Sequence, residues 1–472
     1  MSSAYFRETH RYTIYEISNS LKINIGDAQN FIDKFRLQGI IKLDKEKSRR
    51  EKKNYYYFKY VGIIVYNNLV IKCYPKYIKN DDNDSINENL KIIMKVIRKY
   101  GNNESVIEMM NGEFEDLKFN LLSIILFILY DYIDNGLYSS EKDIYTFNGE
   151  GEIDWNKTID NTYAFIKNGI PLYLDVYTNT SVDDEFNYFK QLHMYVIGQC
   201  SKIIEELCLD KIFSLPKFYF DVDEYYFNDT QVVLNNIEKE MSVQFITRKQ
   251  VVLQTIYKFI SHRDINSLGY GISIFGTSNF NLVWEKVCKS VLNDKLDYSL
   301  DNIGVNLIGE HKKEDTLRSL IEKPLWIPNI ENTHEDKKIE HEATKTLIPD
   351  GISIFELNNK KYFILFDAKY YDIVFNTTKI YNNPGVGDIT KQYLYELVYK
   401  DFISNNKFDL FKNIFIFPGD TENIEYLGDV KMSILDNQGL KDIVAIKLPA
   451  NEIYKMYLSE SKMDFIRIID LL

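Results

Sequence analysis

The 472-residue chain has few cysteines and no long apolar run. Its four cysteines are widely scattered, and the absence of any CxxC pair argues against a zinc cluster or a disulfide framework. The most apolar stretch, 121–133, is shorter than the roughly 20 residues that cross a bilayer, so we expect a buried helix there. The N-terminal segment MSSAYFRETHRYT lacks the apolar stretch of a signal peptide. We therefore expect a soluble, cytoplasmic protein with no membrane partner.

Several catalytic signatures are missing as well. The chain has no GxxxxGK[ST] phosphate loop, which argues against a P-loop NTPase, and it has no GxSxG elbow or Cys–His signature. His341 and Glu342 suggest a metal site, but a second well-spaced histidine is lacking. The other histidines show no ligand spacing; they are His10, His193, His262, His311 and His334.

The charge balance is acidic. The chain has 57 Lys and Arg against 69 Asp and Glu, a formal net charge of −12. This balance excludes a protein that coats nucleic acid by bulk charge, but it does not exclude a local basic patch. A hydrophobic fraction of 45% excludes a wholly disordered chain, and the length allows about three domains.

The N-terminal region reads as two helices and a hairpin. Apolar residues at helical spacing predict helices over 12–21 and 28–37, and short strands follow at 40–43 and 55–60. That order is typical of a winged helix. The charged loop over 42–53 has a net charge of +4, which we interpret as a wing that contacts DNA phosphates, with a solvated loop or a protein-docking module as alternatives. The candidate DNA-binding residues are Lys45, Lys47, Arg49, Arg50, Lys52 and Lys53.

The middle region reads as a hairpin followed mostly by helices. Strands over 57–66 and 69–78 flank Asn67-Asn68, a pair that tolerates the positive φ of a tight turn. A strand pair ends at 171–178. The helical patterns lie at about 88–100, 113–135, 185–208 and 233–263.

The segment 347–373 carries the chemistry. Alternating residues predict two strands around the turn Asn358-Asn359, and the second strand is apolar on both faces, which is typical of a central strand. A two-residue turn there pairs positions whose numbers add up to 717, so Asp350 is expected opposite Asp367, and Lys369 on the same face.

Two carboxylates at that spacing repel each other unless one is protonated or a cation lies between them. Hard oxygen ligands favour Mg²⁺, with Mn²⁺ as the alternative. The competing interpretation is a surface hairpin that carries an Asp–Lys pair.

Pro349-Asp350 together with Asp367-Ala368-Lys369 resembles the motif of the PD-(D/E)xK nuclease superfamily. The resemblance implies that the two aspartates and the backbone carbonyl of Ala368 hold the divalent ion. It also implies that Lys369 orients or activates the attacking water and offsets charge in the transition state.

Two flanking helices supply further candidates through the same resemblance. Such nucleases often carry a glutamate on the helix before the core sheet, and Glu285 in 280–292 is the candidate metal-shell carboxylate, with a solvent-facing role as the alternative. Some members place a Gln or Lys on a helix after the motif, which makes Lys391 and Gln392 catalytic candidates. Further strands are expected at 413–417 and 442–448.

On the motif, the helix at 276–288, the hairpin at 61–78 and the segment GEGEIDWNKTI with 169–178, the chain resembles the LlaJI family of restriction endonucleases over most of its length. The hairpin and the PKYI that ends it are also similar to McrC-type subunits, which pair with an AAA+ GTPase of the McrB type. The resemblance implies a bacterial restriction–modification component in phage defence. It would cut both strands of double-stranded DNA at a methylation-sensitive site, and it would be functionally paired with a DNA methyltransferase. Cutting both strands requires either a homodimer or sequential nicking.

We therefore predict a multidomain chain of mixed α+β and α/β class. The predicted domains are a winged-helix-like region over 1–60, a hairpin plus helical middle over 61–265 for DNA recognition or partner docking, and a PD-(D/E)xK nuclease domain over 266–472, with a mixed sheet flanked by helices. The predicted function is Mg²⁺-dependent hydrolysis of DNA phosphodiester bonds by a restriction endonuclease subunit. One alternative is an McrC-like subunit that activates an AAA+ GTPase and cuts only in that complex, and the other is a DNA repair nuclease.

Overall fold

The chain is a mixed α/β protein in two units, as seen in a computed structural model. The structure describes residues 3–67, 69–102, 121–139, 141–184, 186–261, 272–309, 311–312, 314–328, 340–375, 378–469 and 471. The larger unit draws on the described parts of 2–64, 71–116 and 275–472, and the smaller unit on those of 65–70 and 117–274. The predicted domain boundaries stay predictions.

The N-terminal part of the larger unit has the predicted order of two helices and a hairpin. Its elements are β1 (Ser3–Arg7), α1 (Ile14–Leu21), α2 (Ile25–Leu37), β2 (Ile41–Leu43), α3 (Lys45–Glu51) and β3 (Tyr56–Phe58). Strands β2 and β3 pair antiparallel. Helix α1 begins at a reciprocal capping box, in which Thr13 and Glu16 each accept a backbone N–H of the other. The winged-helix class itself stays a prediction.

The prediction of a charged loop over 42–53 was wrong for most of its length, because residues 45–51 form helix α3. The side chain of Asp44 caps this helix by accepting the backbone N–H of Lys47 at 2.9 Å. Lys, Glu and Arg, which make up most of the segment, are good helix formers, and the left-handed backbone of Lys52 ends the helix.

A four-stranded sheet follows the N-terminal part. It contains β4 (Val61–Tyr66), β5 (Leu69–Tyr74) and β11 (Ile272–Thr277) in the order β1-β5-β4-β11. Gly62 of β4 and Gly276 of β11 let the two backbones approach closely, since a Cβ on Gly276 would lie 2.2 Å from the carbonyl oxygen of Val61. Helix α4 (Asn83–Asn102) follows β5 in the chain.

The C-terminal part of the larger unit is built on a mixed five-stranded sheet, in the order β14-β15-β18-β20-β19. Its strands are β14 (Gly351–Leu357), β15 (Lys360–Ala368), β18 (Leu410–Gly419), β19 (Glu425–Val430) and β20 (Ile443–Pro449). Its helices are α11 (Phe280–Val291), α12 (Val386–Asn405), α13 (Ala450–Leu458) and α14 (Ile466–Ile469). The short strands are β12 (Leu325–Trp326), β13 (His341–Glu342), β16 (Val374–Phe375) and β17 (Ile380–Tyr381). The strands predicted around 348–357, 361–369, 413–417 and 442–448 are confirmed, and β19 is an addition.

Strand β15 is buried on both faces, as its apolar sequence predicted. Phe363 and Leu365 pack with Tyr395 and Tyr399 of α12, and the alternate residues of β15 are buried as well. Helix α11 contacts the same strand, and α13 contacts β20. The sheet is therefore covered by helices, an arrangement that suits a strand with parallel neighbours.

The smaller unit is less helical than predicted. Its elements are α5 (Leu121–Asn135), β6 (Glu141–Phe147), β7 (Glu152–Ile153), α6 (Trp155–Asn161), β8 (Ala164–Lys167), β9 (Ile170–Tyr173), β10 (Tyr177–Asp183), α7 (Tyr188–Glu206), α8 (Asp210–Phe213), α9 (Thr230–Val243) and α10 (Thr247–Ser261). The pattern predicted as one helix over 233–263 is two helices. Gln244 takes an extended backbone between them, and its side chain accepts the N–H of Ile246 at 3.0 Å.

The core of the smaller unit contains an ion pair between α5 and α10. Arg248 donates to both carboxylate oxygens of Asp131, at 3.1 and 2.8 Å, and the Asp131 side chain is 8% exposed. The buried helix predicted in 121–133 is confirmed for the part that the structure describes. Across the described residues, helices that are both long and apolar enough to cross a membrane are absent.

Candidate active site

The turn between β14 and β15 sets the register of the candidate site. Asn358 and Asn359 both have positive φ, 51° and 59°, as a tight two-residue hairpin requires. Gly351 pairs with Phe366 and Leu357 with Lys360, so all pairs follow the predicted register. Asp350, one residue before β14, therefore lies beside Asp367 at the end of β15.

Asp350 and Asp367 form a coupled carboxyl pair. A hydrogen bond joins their side chains, and Asp350 Oδ2 also accepts the backbone N–H of Ala368 at 3.0 Å. Asp367 is buried, with 6% of the residue exposed. Burial, followed by the hydrogen bond and the charge of Asp367, raises the pKa of Asp350 to about 8, and Lys369 opposes that rise. In the absence of a cation the pair therefore holds a proton at neutral pH.

Lys369 lies between two carboxylates. Its Nζ is 3.0 Å from Asp367 Oδ2 and 3.2 Å from Asp388 Oδ1. Burial by itself would lower the pKa of Lys369, but the charges of Asp367, Asp350 and Asp388 together raise it above its ordinary value. The ammonium therefore remains charged throughout the pH range in which enzymes work.

Helix α12 begins at this cluster. Asp388 is in its first turn, and Gln392 follows one turn later on the same side. Gln392 is fully buried, and both polar atoms of its side-chain amide lack a hydrogen-bond partner among the described residues. Lys391 is exposed on the same helix. Of the two candidates on this helix, Gln392 is thus the one on the buried side with Asp388.

Two residues of the cluster were missed by the sequence analysis. Asp388 contacts Lys369 directly, and Tyr395 is close enough that Asp367 and Asp350, after burial, raise the pKa of its hydroxyl to about 12. The Tyr395 hydroxyl donates to the carbonyl of Ile348 at 2.8 Å, which ties α12 to the segment before Asp350. An Asp in the first turn of a helix is common because it complements the helix dipole, so it gave no distinctive signal.

Glu285 lies on α11 and is half-buried. Its carboxylate accepts from Lys289 Nζ at 2.6 Å, one turn along the helix. Burial and the nearby charges of Asp350 and Glu285 raise the pKa of the Cys288 thiol, so both carboxylates lie near that side chain. The metal role of Glu285 stays a prediction.

The fit of a divalent metal rests on the donor set. The side chains of Asp350 and Asp367 and the carbonyl of Ala368 carry hard oxygen atoms, and a bound cation would favour the charged form of Asp350, whose pKa is raised first by burial and then by Asp367. Within the described ranges, groups of three or more His, Cys, Asp or Glu side chains placed to hold a metal are absent. Two carboxylates and a carbonyl are donors of the kind that Mg²⁺ and Mn²⁺ prefer, and the binding of such an ion by these residues stays a prediction.

His341 and Glu342, which the sequence analysis considered as metal ligands and set aside, lie in a short strand. His341 is in the exposed strand β13, where it pairs with Trp326, and the neighbouring Glu342 forms an ion pair with Lys323 at 2.9 Å. His262 and His334 lie outside the described residues.

The predicted DNA-binding residues lie on α3 and just after it. Lys47 is half-buried, with its Nζ 4.1 Å from the centre of the Tyr55 ring. The other five are exposed; they are Lys45, Arg49, Arg50, Lys52 and Lys53. Their role in binding DNA stays a prediction.

Comparison with known proteins identifies the family. The model of the LlaJI restriction endonuclease family matches residues 60–451. The Type II restriction enzyme BsuMI component YdjA of Bacillus subtilis (strain 168) is 28% identical over 413 residues, which cover 85% of this chain and 80% of that protein. The chain belongs to the LlaJI restriction endonuclease family.

A solved structure also matches along nearly the whole chain. It is a refined half-complex from a tetradecameric assembly of Thermococcus gammatolerans McrB AAA+ hexamers with bound McrC. The match covers 97% of this chain and 99% of that chain, at 12% identity and a TM-score of 0.36. At that score the likeness supports no statement about fold or function.

Proposed function

We propose that this chain is the DNA-cleaving subunit of a restriction enzyme and that its active site is a PD-(D/E)xK site built from Asp350, Asp367 and Lys369. The observation that carries the proposal is the strand register, which places Asp350 beside Asp367 at one end of the sheet. The family assignment favours restriction over repair.

The proposed division of roles follows from the contacts. Asp350, Asp367 and the Ala368 carbonyl would hold Mg²⁺, or Mn²⁺ as the alternative. A bound divalent ion supplies charge stabilisation at the phosphoryl oxygens and lowers the pKa of a bound water. Lys369 holds its proton and donates hydrogen bonds toward the reacting phosphate or the attacking water. Asp388 keeps the lysine side chain in place, and Gln392 offers an unpaired buried amide on the same side of α12.

The test is DNA cleavage by single variants. Asp350→Ala, Asp367→Ala and Lys369→Ala are each expected to abolish Mg²⁺-dependent cleavage while the chain stays folded. Lys360→Ala is the matched control, because this exposed lysine is at the opposite end of the same strand. Normal cutting by any of the three site variants would refute the assignment.

A partner subunit forms the second part of the proposal. The relative YdjA is called a component of its enzyme, and the resemblance of the 61–78 hairpin to McrC-type subunits points to an AAA+ GTPase. We infer that cleavage requires such a partner and that it is directed to a site whose methylation blocks cutting.

The two parts of this inference are tested separately. Adding the candidate GTPase should switch on cleavage, and this chain should stimulate GTP hydrolysis by that partner. Unmodified DNA should be cut, and DNA treated with the paired methyltransferase should not. Full cleavage by the chain alone would remove the partner from the proposal, and equal cleavage of both DNAs would remove the sensitivity to methylation.

A further inference from the structure

The larger unit contains a cavity of about 840 Å³ whose lining is separate from the aspartates of the candidate active site. Its walls come from the N-terminal part and from the segment that follows Lys369 in sequence. The lining residues that matter here are Arg7, Arg11, Lys47, Lys76, Tyr55 and Tyr371. Tyr371 is two residues after Lys369, and its backbone N–H donates to the Lys369 carbonyl at 2.9 Å.

Three carboxylates also line this cavity, but each is already engaged. Glu8 is buried and accepts the hydroxyl of Tyr370 at 2.5 Å. Glu16 accepts the backbone N–H of Thr13 at 2.6 Å as part of the helix cap. Asp372 forms an ion pair with Lys79. Asp372 thus has its charge balanced by a lysine, and Glu8 and Glu16 are held by neutral hydrogen-bond donors.

The cations of the cavity form few ion pairs, although the charges of Glu8 and Asp372 both act on Lys76. Arg11 pairs with Asp44 at 2.9 Å. Arg7, Lys47 and Lys76 take part in none of the ion pairs that the described residues form. Lys76 instead places its Nζ 4.3 Å from the centre of the Tyr370 ring, and Lys47 stacks on Tyr55. Burial lowers the pKa of Lys76, so an incoming anion would stabilise its charged form.

The volume of the cavity and the side chains that line it indicate which class of ligand it could bind. A volume of this order holds one segment of chain rather than a whole duplex. Two lysines and an arginine suit backbone phosphates, and tyrosine rings suit the faces of nucleotide bases. An acidic peptide would also bring negative charge, but it has no aromatic bases to place beside Tyr55 and Tyr371, which are half-buried.

We propose that this cavity binds the phosphate backbone of one strand of the DNA substrate through Arg7, Lys47 and Lys76. This inference rests on the proposed function, because the strand would continue from the cavity toward Lys369. Of the six residues predicted to bind DNA, only Lys47 lines the cavity. The site therefore differs from the wing that the sequence suggested.

The experiment compares two triple variants that each remove three positive charges. The cavity variant is Arg7→Gln, Lys47→Gln, Lys76→Gln. The control, Lys202→Gln, Lys239→Gln, Lys360→Gln, changes exposed lysines that neither line the cavity nor belong to the predicted DNA-binding set. Binding of labelled single-stranded and duplex oligonucleotides is measured by anisotropy in EDTA over a range of salt concentrations, with the full chain.

The cavity variant is expected to lose at least tenfold in affinity, and the slope of log K against log salt should fall by about 2 to 3, the value for three lost phosphate contacts. The control should keep both affinity and slope. Equal losses in the two variants, or no loss in the cavity variant, would overturn the proposal. Displacement of DNA by polyglutamate at equal charge concentration would also overturn it, in favour of an acidic protein ligand.

Two further readouts keep the result interpretable. Thermal melting checks that the triple variant is folded, and the single variant Lys47→Gln, which is half-buried and outside the sheet core, provides a milder test with a slope change of about 1. If the cavity variant binds DNA normally but Asp367→Ala still abolishes cleavage, the proposal for the cavity is refuted and the proposed function stands. If the cavity variant loses DNA binding but the wild type cuts no DNA with or without a partner, the proposed function is refuted and the proposal for the cavity stands.

Discussion

Replacing Asp350 by Asn is expected to stabilise the metal-free protein while it abolishes cleavage. The folded chain holds the Asp350 proton up to a pKa of about 8, whereas the ordinary value for an aspartate is 3.8. The folded state thus binds this proton more tightly than the unfolded chain does. The stability of the wild type should fall as pH rises from about 4 to about 8 and level off above that, and the neutral Asn removes this dependence.

The magnitude follows from the site. One pKa unit is worth about 1.36 kcal/mol, so the shift from 3.8 to about 8, roughly four units, sets an upper limit of about 6 kcal/mol. An independent figure comes from Coulomb's law, since two charges about 5 Å apart at an effective dielectric constant near 20 interact by about 3 kcal/mol. Lys369 offsets part of this repulsion by pairing with Asp367. We therefore expect a gain of about 2 to 3 kcal/mol at pH 8.5.

The assay is thermal unfolding in EDTA at pH 5 and at pH 8.5. For a unit of this size the gain corresponds to a rise of roughly 3–6 °C in the midpoint at pH 8.5 and a smaller rise at pH 5. Added Mg²⁺ should raise the midpoint of the wild type at pH 8.5 but not that of Asp350→Asn. Asp401→Asn, an exposed position on α12, serves as the control. Equal midpoints for wild type and variant at both pH values would refute the reasoning.

Two further predictions concern packing. Gly276→Ala places a Cβ 2.2 Å from the Val61 carbonyl oxygen and should lower the free energy of unfolding by about 2 kcal/mol or more. Its control, Gly387→Ala, meets no atom within 4 Å and should leave stability unchanged or raise it slightly. Equal shifts of the urea midpoint in the two variants would contradict this prediction. Arg248→Met leaves the buried Asp131 carboxylate without its ion-pair partner and should lower the free energy of unfolding by about 2–4 kcal/mol. The double variant with Asp131→Leu should recover most of that loss in the same denaturation assay, and a double variant as unstable as the single one would count against the mechanism.

The register of the candidate site was predictable because it depends on local chemistry. An Asn-Asn pair favours a two-residue turn, and the turn fixes which residues face each other across the hairpin. Asp350 and Asp367 could therefore be brought together without knowledge of the rest of the fold. Burial of β15 on both faces could also be predicted, because its apolar residues form a continuous run.

Other parts of the site depend on contacts between distant segments. The approach of Asp388 to Lys369 depends on how α12 lies against the sheet. The hydrogen bond from the Tyr370 hydroxyl to the Glu8 carboxylate joins residues 362 positions apart. Neither contact produces a periodic pattern or a residue spacing that could be recognised in the sequence. Helix α3 was missed for a different reason, since its seven residues contain no apolar side chain from which a helical face could be recognised.

The distribution of charge separates two tasks along one short segment of chain. Asp367 and Asp388 both pair with Lys369, and Asp350 lies beside Asp367, so at neutral pH and without metal the carboxylates of this cluster outweigh its lysine and would repel a phosphate. Two residues after Lys369, at Tyr371, the chain reaches the cavity whose basic side chains we propose as the phosphate-binding groups. A DNA strand held in that cavity would approach the carboxylates closely only after metal had neutralised them. On these proposals an acidic chain with a net charge of −12 would need no general affinity for DNA, because a few basic side chains in one cavity would hold the strand and metal binding would decide when the phosphate can enter the site.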